Sequence, residues 1–213
     1  RAQTDSSPWQ QVLAAMPATG LAQAQDQAAF DACLSGLRPA AAAAGINQAT
    51  FDTYATTAVP DMTVLDLLDA QPEFTTPIWD YLAALVDTPR VRDGDAMLKT
   101  PAVTLAQVAT QYGVDAETVV AVWGVESDYG KTFGKRPLLT SLATLSCFGR
   151  RQAFFRGEFF ATLKLLQSGD LKPEGLTGSW AGAFGHTQFM PTTYQRIAVD
   201  GDGDGRRDLV GSI

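Results

Sequence analysis

The stretch that decides the fold is residues 115–130, DAETVVAVWGVESDYG. Asp115 suits a helix N-cap, and Glu117 places negative charge in the first turn, where the helix dipole favours it. Val119, Val122 and Trp123 precede Glu126 by seven, four and three places, so a helix puts all four on one face. That face is otherwise apolar, and an ionised glutamate there is costly unless it is paired. No Lys or Arg lies within one turn of it; Lys131 is five places on. A protonated glutamic acid with a raised pKa is what general-acid chemistry on a glycosidic oxygen requires. The alternative is a helix-end Glu that turns to solvent as the helix frays near Gly130.

The same helical period runs outward in both directions. Residues 27–44 carry Phe30, Cys33, Leu34 and Leu37 at helical spacing, and a second helix from about Asn47 carries Phe51, Tyr54 and Ala58 before Pro60. Further helices are expected over 61–70, 77–86, 90–98, 103–112, 137–147 and 150–167. No segment alternates with period two, so the class is all-α, or α with a trace of strand. The opening residues, rich in Ala, Gln, Ser and Pro, read as a flexible leader over 1–20, with one domain over 21–213.

Composition narrows the function classes. A chain of 213 residues, 46% hydrophobic and 18% charged, can bury a substantial core in one domain. It has no apolar run long enough to span a bilayer, and it starts at Arg1, as a mature or trimmed form would. A net charge of −7 and a pI near 4.6 argue against nucleic acid and anionic membranes as partners. An acidic polymer would have to be recognised by shape and hydrogen bonds. The two cysteines, Cys33 and Cys147, are either a disulfide closing a long loop or two buried thiols. A disulfide requires an oxidising compartment.

Residues 171–190, LKPEGLTGSWAGAFGHTQFM, break the helical pattern. Glycines at this density allow close backbone approach and positive φ. Trp180, Phe184 and Phe189 offer aromatic surface, and Ser179, Thr187 and Gln188 offer polar tips. The mix suits a saccharide groove or a loop packed on its own aromatics. His186, the single histidine, reads as a hydrogen-bonded structural residue, and no zinc-ligand spacing is present. Residues 200–208, DGDGDGRRD, place acids at positions one, three, five and nine of an EF-hand-type loop with Gly205 at six, but Gly211 stands at twelve. The choice there lies between a calcium loop and an acidic solvated turn.

Together WGVESDYG (123–130), RPLLTSLATLS (136–146), GRRQAFFRGE (149–158), GSWAGAFGHTQFMPTTY (178–194) and VDGDGDGRRDL (199–209), with QPEFTTPIWDYL (71–82), closely resemble the B-type lytic murein transglycosylases of Gram-negative bacteria. The resemblance implies a lysozyme-like, mostly α-helical catalytic domain with additional N-terminal helices. It implies cleavage of the β-1,4 bond from N-acetylmuramic acid to N-acetylglucosamine in peptidoglycan, leaving a 1,6-anhydromuramoyl end. Glu126 would be the single acid and then base, Ser179 and Gln188 would line the groove, and Tyr129 would shape its wall. The side chains of Asp200, Asp202 and Asp204 and the carbonyl of Arg206 would bind a structural Ca²⁺. The last acidic ligand would lie past Ile213, which implies a domain trimmed at its C-terminal end. The compartment implied is the periplasm, and the partners are glycan strands. A hydrolytic muramidase and a non-catalytic peptidoglycan-binding fragment are the alternatives.

Overall fold

The computed structural model describes residues 18–70 and 75–212. Ten helices are described: α1 (Ala18–Ala43), α2 (Gln48–Tyr54), α3 (Thr63–Asp69), α4 (Ile78–Leu85), α5 (Thr88–Met97), α6 (Ala102–Tyr112), α7 (Ala116–Ser127), α8 (Leu138–Cys147), α9 (Gln152–Ser168) and α10 (Pro191–Ile197). One two-stranded antiparallel ribbon, β1 (Arg136–Pro137) with β2 (Thr177–Gly178), pairs Arg136 with Gly178 and Pro137 with Thr177. The expected all-α class is therefore observed with its trace of strand. Most of the expected leader, residues 1–17, lies outside the described residues, but Ala18, Thr19 and Gly20 already belong to α1. The helix α10 was not anticipated. It opens on Pro191, which lacks the N–H that a first-turn residue leaves unbonded anyway.

The core is built around α9. Its residues Phe155, Phe159, Leu163 and Leu166 are buried, and Ala161, Thr162 and Leu165 are buried as well, so apolar packing surrounds the helix on several sides. A surface helix shows one apolar stripe; burial all round marks the centre of a domain. Leu138, Leu142 and Leu145 of α8, Phe30, Leu34 and Leu37 of α1, Phe51 of α2, Val64 of α3 and Tyr194 of α10 complete the same cluster. Gly149 and Gly169, both at positive φ, bracket α9.

Cys33 of α1 and Cys147 at the end of α8 form a disulfide, which ties the first described helix to the core across 114 residues. The pairing leaves no free cysteine among the described residues. In contrast, α4 forms where its pattern predicts yet buries none of its residues; Ile78, Trp79 and Leu82 are exposed.

Because the cross-link closes so long a loop, the chain-entropy account assigns it about 5 kcal/mol. The double variant Cys33→Ser/Cys147→Ser is therefore expected to lose stability on that scale in urea unfolding. A denaturation midpoint equal to the parent's would show that core packing alone holds α1 in place.

Candidate active site

The C-terminal end of α7 carries Glu126 on a face that is open to solvent, while Gly124 and Ser127 of the same turn are buried. Glu126, Val122 and Val125 are exposed. The expectation that Glu126 points where a core side chain would point is therefore corrected: its apolar neighbours line a surface groove. Its carboxyl is still partly desolvated by the protein beside it, and this alone holds its pKa above the usual glutamate value. Asp115 occupies the N-cap position, but its side chain makes no capping hydrogen bond.

Immediately after Glu126 the chain turns sharply. Asp128, Tyr129 and Gly130 all have positive φ, and the first two are not glycine. Such backbone is unfavourable for side-chain-bearing residues and persists only where surrounding contacts impose it. Ser127 supplies many of them. Almost fully buried, its hydroxyl donates to the His186 carbonyl (2.7 Å) and accepts from the Gly130 N–H (3.0 Å), while its own carbonyl accepts from Thr132 N–H. Lys131 pairs with Asp93 (2.6 Å) and Asp128 (3.6 Å), not with Glu126.

Tyr129 lines a cleft beside Arg90 and Val125. Its hydroxyl donates to the Arg90 carbonyl (2.7 Å), and its ring fills a notch between α5 and α7. A Cβ built on Gly124 would lie 2.6–2.8 Å from this ring and its hydroxyl, and one on Gly94 would lie 2.7 Å from the hydroxyl oxygen. Tyr129 is a wedge that sets the spacing of these two helices.

The glycine-rich loop packs directly on the segment after Glu126. A Cβ on Gly134 would meet the Gly178 carbonyl at 2.0 Å and the Ser179 nitrogen at 2.6 Å, so two backbones touch there. Ser179 Oγ accepts from the Ala183 N–H (3.0 Å), which leaves its hydroxyl hydrogen able to donate. Gln188, at φ 48°, donates from Nε2 to the carbonyls of Gly185 (3.0 Å) and Phe133 (3.3 Å). Two carbonyl acceptors fix which end of the amide is nitrogen. The opposite end, Oε1, is thereby an acceptor. Of the aromatics expected to form groove surface, Phe184 is instead fully buried in the core against Tyr194. Glu158, a buried carboxylate of α9, accepts from Thr192 N–H (2.9 Å) and Thr192 Oγ (2.7 Å) and so anchors α10 directly behind Gln188, Phe189 and Met190.

His186 is the hydrogen-bonded structural residue that its place in the loop suggested. Trp123 Nε1–H donates to its Nδ1 (2.9 Å), Phe133 stands edge-on to its ring, and its N–H donates to the Leu209 carbonyl (2.8 Å). Removal from water holds the imidazole pKa below its usual value. Beside it runs an apolar groove of about 430 Å³ between α6 and α7, lined by Leu105, Val108, Val119, Val122, Trp123 and Leu209 among others.

The Asp-rich loop folds as a series of tight turns. Asp200 accepts from the N–H groups of Gly203 and Gly205, Asp202 from Asp204, and Asp204 from Arg206. The carboxylates of Asp200, Asp202 and Asp204 lie within 4.8 Å of one another, and all three residues are exposed. Three oxygen donors so placed fit a hard divalent cation. Ser212 Oγ donates to Asp202, tying the chain after the loop back to it.

A family profile described as transglycosylase SLT domain matches residues 29–213. The chain belongs to this transglycosylase SLT family. Membrane-bound lytic murein transglycosylase B of Escherichia coli (strain K12) is 43% identical over 99 residues, which is 46% of this chain and 27% of that protein. Among solved SLT-type structures, SltB3 from Pseudomonas aeruginosa in complex with NAG-anhNAM-pentapeptide aligns at a TM-score of 0.80 and 46% identity, over 86% of this chain and 49% of that one. The Escherichia coli lytic transglycosylase SLT35 in complex with calcium aligns at a TM-score of 0.74 and 30% identity, over 86% and 58%. The chain thus spans about half the length of the solved relatives it matches.

Ser127→Ala leaves the His186 carbonyl and the Gly130 N–H without their partner at a buried position. The expected cost is about 1–3 kcal/mol in chemical unfolding. A loss below a few tenths of a kcal/mol would show that the turn is held without this hydroxyl.

Proposed function

We propose that this chain is a lytic transglycosylase acting on the glycan strands of peptidoglycan, with Glu126 as its single catalytic acid and base. The observation that carries this reading is a solvent-open, partly desolvated carboxyl on the last turn of α7, a turn whose Trp123 and Ser127 bond to His186 of the loop that bears Ser179 and Gln188, in a chain of this family.

Glu126, protonated, gives its proton to the glycosidic oxygen as the C1–O bond to N-acetylmuramic acid breaks. Positive charge develops at C1 and the ring oxygen. The resulting Glu126 carboxylate then takes the proton of the muramoyl C6 hydroxyl as that oxygen bonds to C1. The product is a 1,6-anhydromuramoyl end, Glu126 is protonated again, and no water is consumed. One carboxyl suffices, whereas hydrolysis by the usual two-carboxylate route requires a partner at about 5–9.5 Å. Asp128, two residues on, is engaged with Lys131. SltB3 has been solved with NAG-anhNAM-pentapeptide and with NAG-NAM-pentapeptide, which supports muropeptide glycans as the substrate class. Ser179, a donor, and Gln188, an acceptor, complement hydroxyl and acetamido groups of the sugar.

Asp200, Asp202, Asp204 and the carbonyl of Arg206 are the groups that would hold Ca²⁺, which would neutralise their mutual repulsion and take no part in the chemistry. SLT35 has been solved with calcium. The disulfide indicates an oxidising compartment, and with a relative named as membrane-bound this supports a periplasmic location.

Mass spectrometry of products from purified peptidoglycan tests the reading. The parent is expected to release fragments one water lighter than hydrolysis products, and Glu126→Gln none. Reducing ends would instead make the protein a muramidase. Since the first step needs protonated Glu126, kcat/KM should fall as pH rises through its raised pKa, so the basic limb should lie above the ordinary glutamate range; a limb at the ordinary value would count against desolvation of the acid. For the loop, Ca²⁺ at a hundredfold excess over Kd should stabilise the fold by about 2.7 kcal/mol. Melting curves identical with Ca²⁺ and with a chelator would exclude a bound ion.

A further inference from the structure

The bonds of His186 point to a role that neither its isolation in the sequence nor the acid itself accounts for. Trp123 lies one helical turn before Glu126, and Ser127 directly after it. Both are tied to the same residue, Trp123 through the imidazole Nδ1 (2.9 Å) and Ser127 through the His186 carbonyl (2.7 Å). The last turn of α7 is therefore held on both sides of the acid by one residue of the opposing loop. That residue stands two places before Gln188.

We propose that His186, as a neutral imidazole, is a positioning residue for Glu126: it accepts from Trp123, braces Ser127 and so fixes the acid relative to Gln188. The inference rests on the function proposed above and adds a residue to it.

The chemistry of the pair sets the protonation state. The indole nitrogen can only donate, so Nδ1 must present its lone pair and the ring proton resides on Nε2. Phe133 closes one face at 4.9 Å, and Gly130 leaves room for the rest: a Cβ there would lie 2.3 Å from Cε1. The ring thus has no alternative place to go. Its position is dictated by α7, by the 130–133 turn and by the chain after the Asp-rich loop together.

Geometry of this kind acts on rate. A displacement of the acid by about 1 Å can cost on the order of a hundredfold in turnover while substrate binding is retained. The substitutions that separate the two nitrogens are available, since an asparagine amide oxygen can take the place of Nδ1 and a glutamine amide that of Nε2.

The deciding experiment follows the Glu126 carboxyl by carbon-detected NMR titration in the parent, Trp123→Phe, His186→Gln and His186→Asn. Trp123→Phe and His186→Gln, which each break the Nδ1 bond, are expected to return the Glu126 titration towards the ordinary glutamate value as water reaches the loosened carboxyl. His186→Asn, which keeps an acceptor there, should leave it near the parent's. On peptidoglycan the first two should lower kcat by about tenfold or more with KM within about twofold, and His186→Asn should recover most of that loss. A Glu126 titration unchanged in both Trp123→Phe and His186→Gln, or shifted equally in His186→Gln and His186→Asn, overturns the brace. If the parent yields no anhydro products, the proposed function fails, and the titration series still decides the brace.

Discussion

Burial of α9 on several sides is the constraint from which the rest of this structure follows. A helix that is apolar around most of its circumference must be enclosed; α2, α8 and α10 pack on it, and α1 packs on α8 and α2. Enclosure creates a second requirement, because the helix also carries Glu158. A buried carboxylate must be hydrogen-bonded, and the groups that meet it are the backbone and hydroxyl of Thr192 at the start of α10. The central helix thus specifies where α10 begins. The residues just before that helix, Gln188 to Met190, are fixed in consequence.

The acid is held from the other side by a different device. Three successive residues after Ser127 adopt left-handed backbone, and Gln188 does so in the facing loop. Among the described residues only four non-glycine residues do this, and three of them stand here. Strain concentrated in this way is maintained by the buried Ser127 hydroxyl, by the Tyr129 wedge in the Gly94/Gly124 notch and by the Trp123–His186 bond. An open, solvent-reaching carboxyl therefore stands on a rigid support. Rigidity beneath and access above would suit the polymer-cleaving role proposed for Glu126, in which the substrate approaches from outside while the acid must not drift.

Much of this was legible from the residues. The helical period from Phe30 to Leu166 gave nearly every helix, and the motifs around Glu126, Ser179, Gln188 and Asp200 marked the segments that come together. What misled was the apolar face of α7. Val122 and Trp123 read as core neighbours of Glu126, yet they line a groove open to solvent, because burial depends on what packs opposite a helix and not on its own pattern. Phe184 failed in the reverse sense, being core where surface was expected. The helix α4 shows the same limit, with an apolar sequence that covers nothing. Tyr129 follows the acid motif in sequence, and its positive φ and its seat between Gly94 and Gly124 are features that no spacing rule anticipates.

By itself the sequence determined that the chain is helical, where all its described helices but α10 lie and which chemical groups are available: one acid in an apolar context, a glycine-rich loop with amide and hydroxyl tips, and three alternating aspartates. These are local properties of period and residue type. Only the tertiary structure decided that Cys33 meets Cys147, that Gly134 and Gly178 let two backbones touch, and that a lone histidine grips both neighbours of the acid. Each of these joins residues dozens of positions apart. Which distant groups meet is set by how a whole core closes around α9, and no local pattern contains that information.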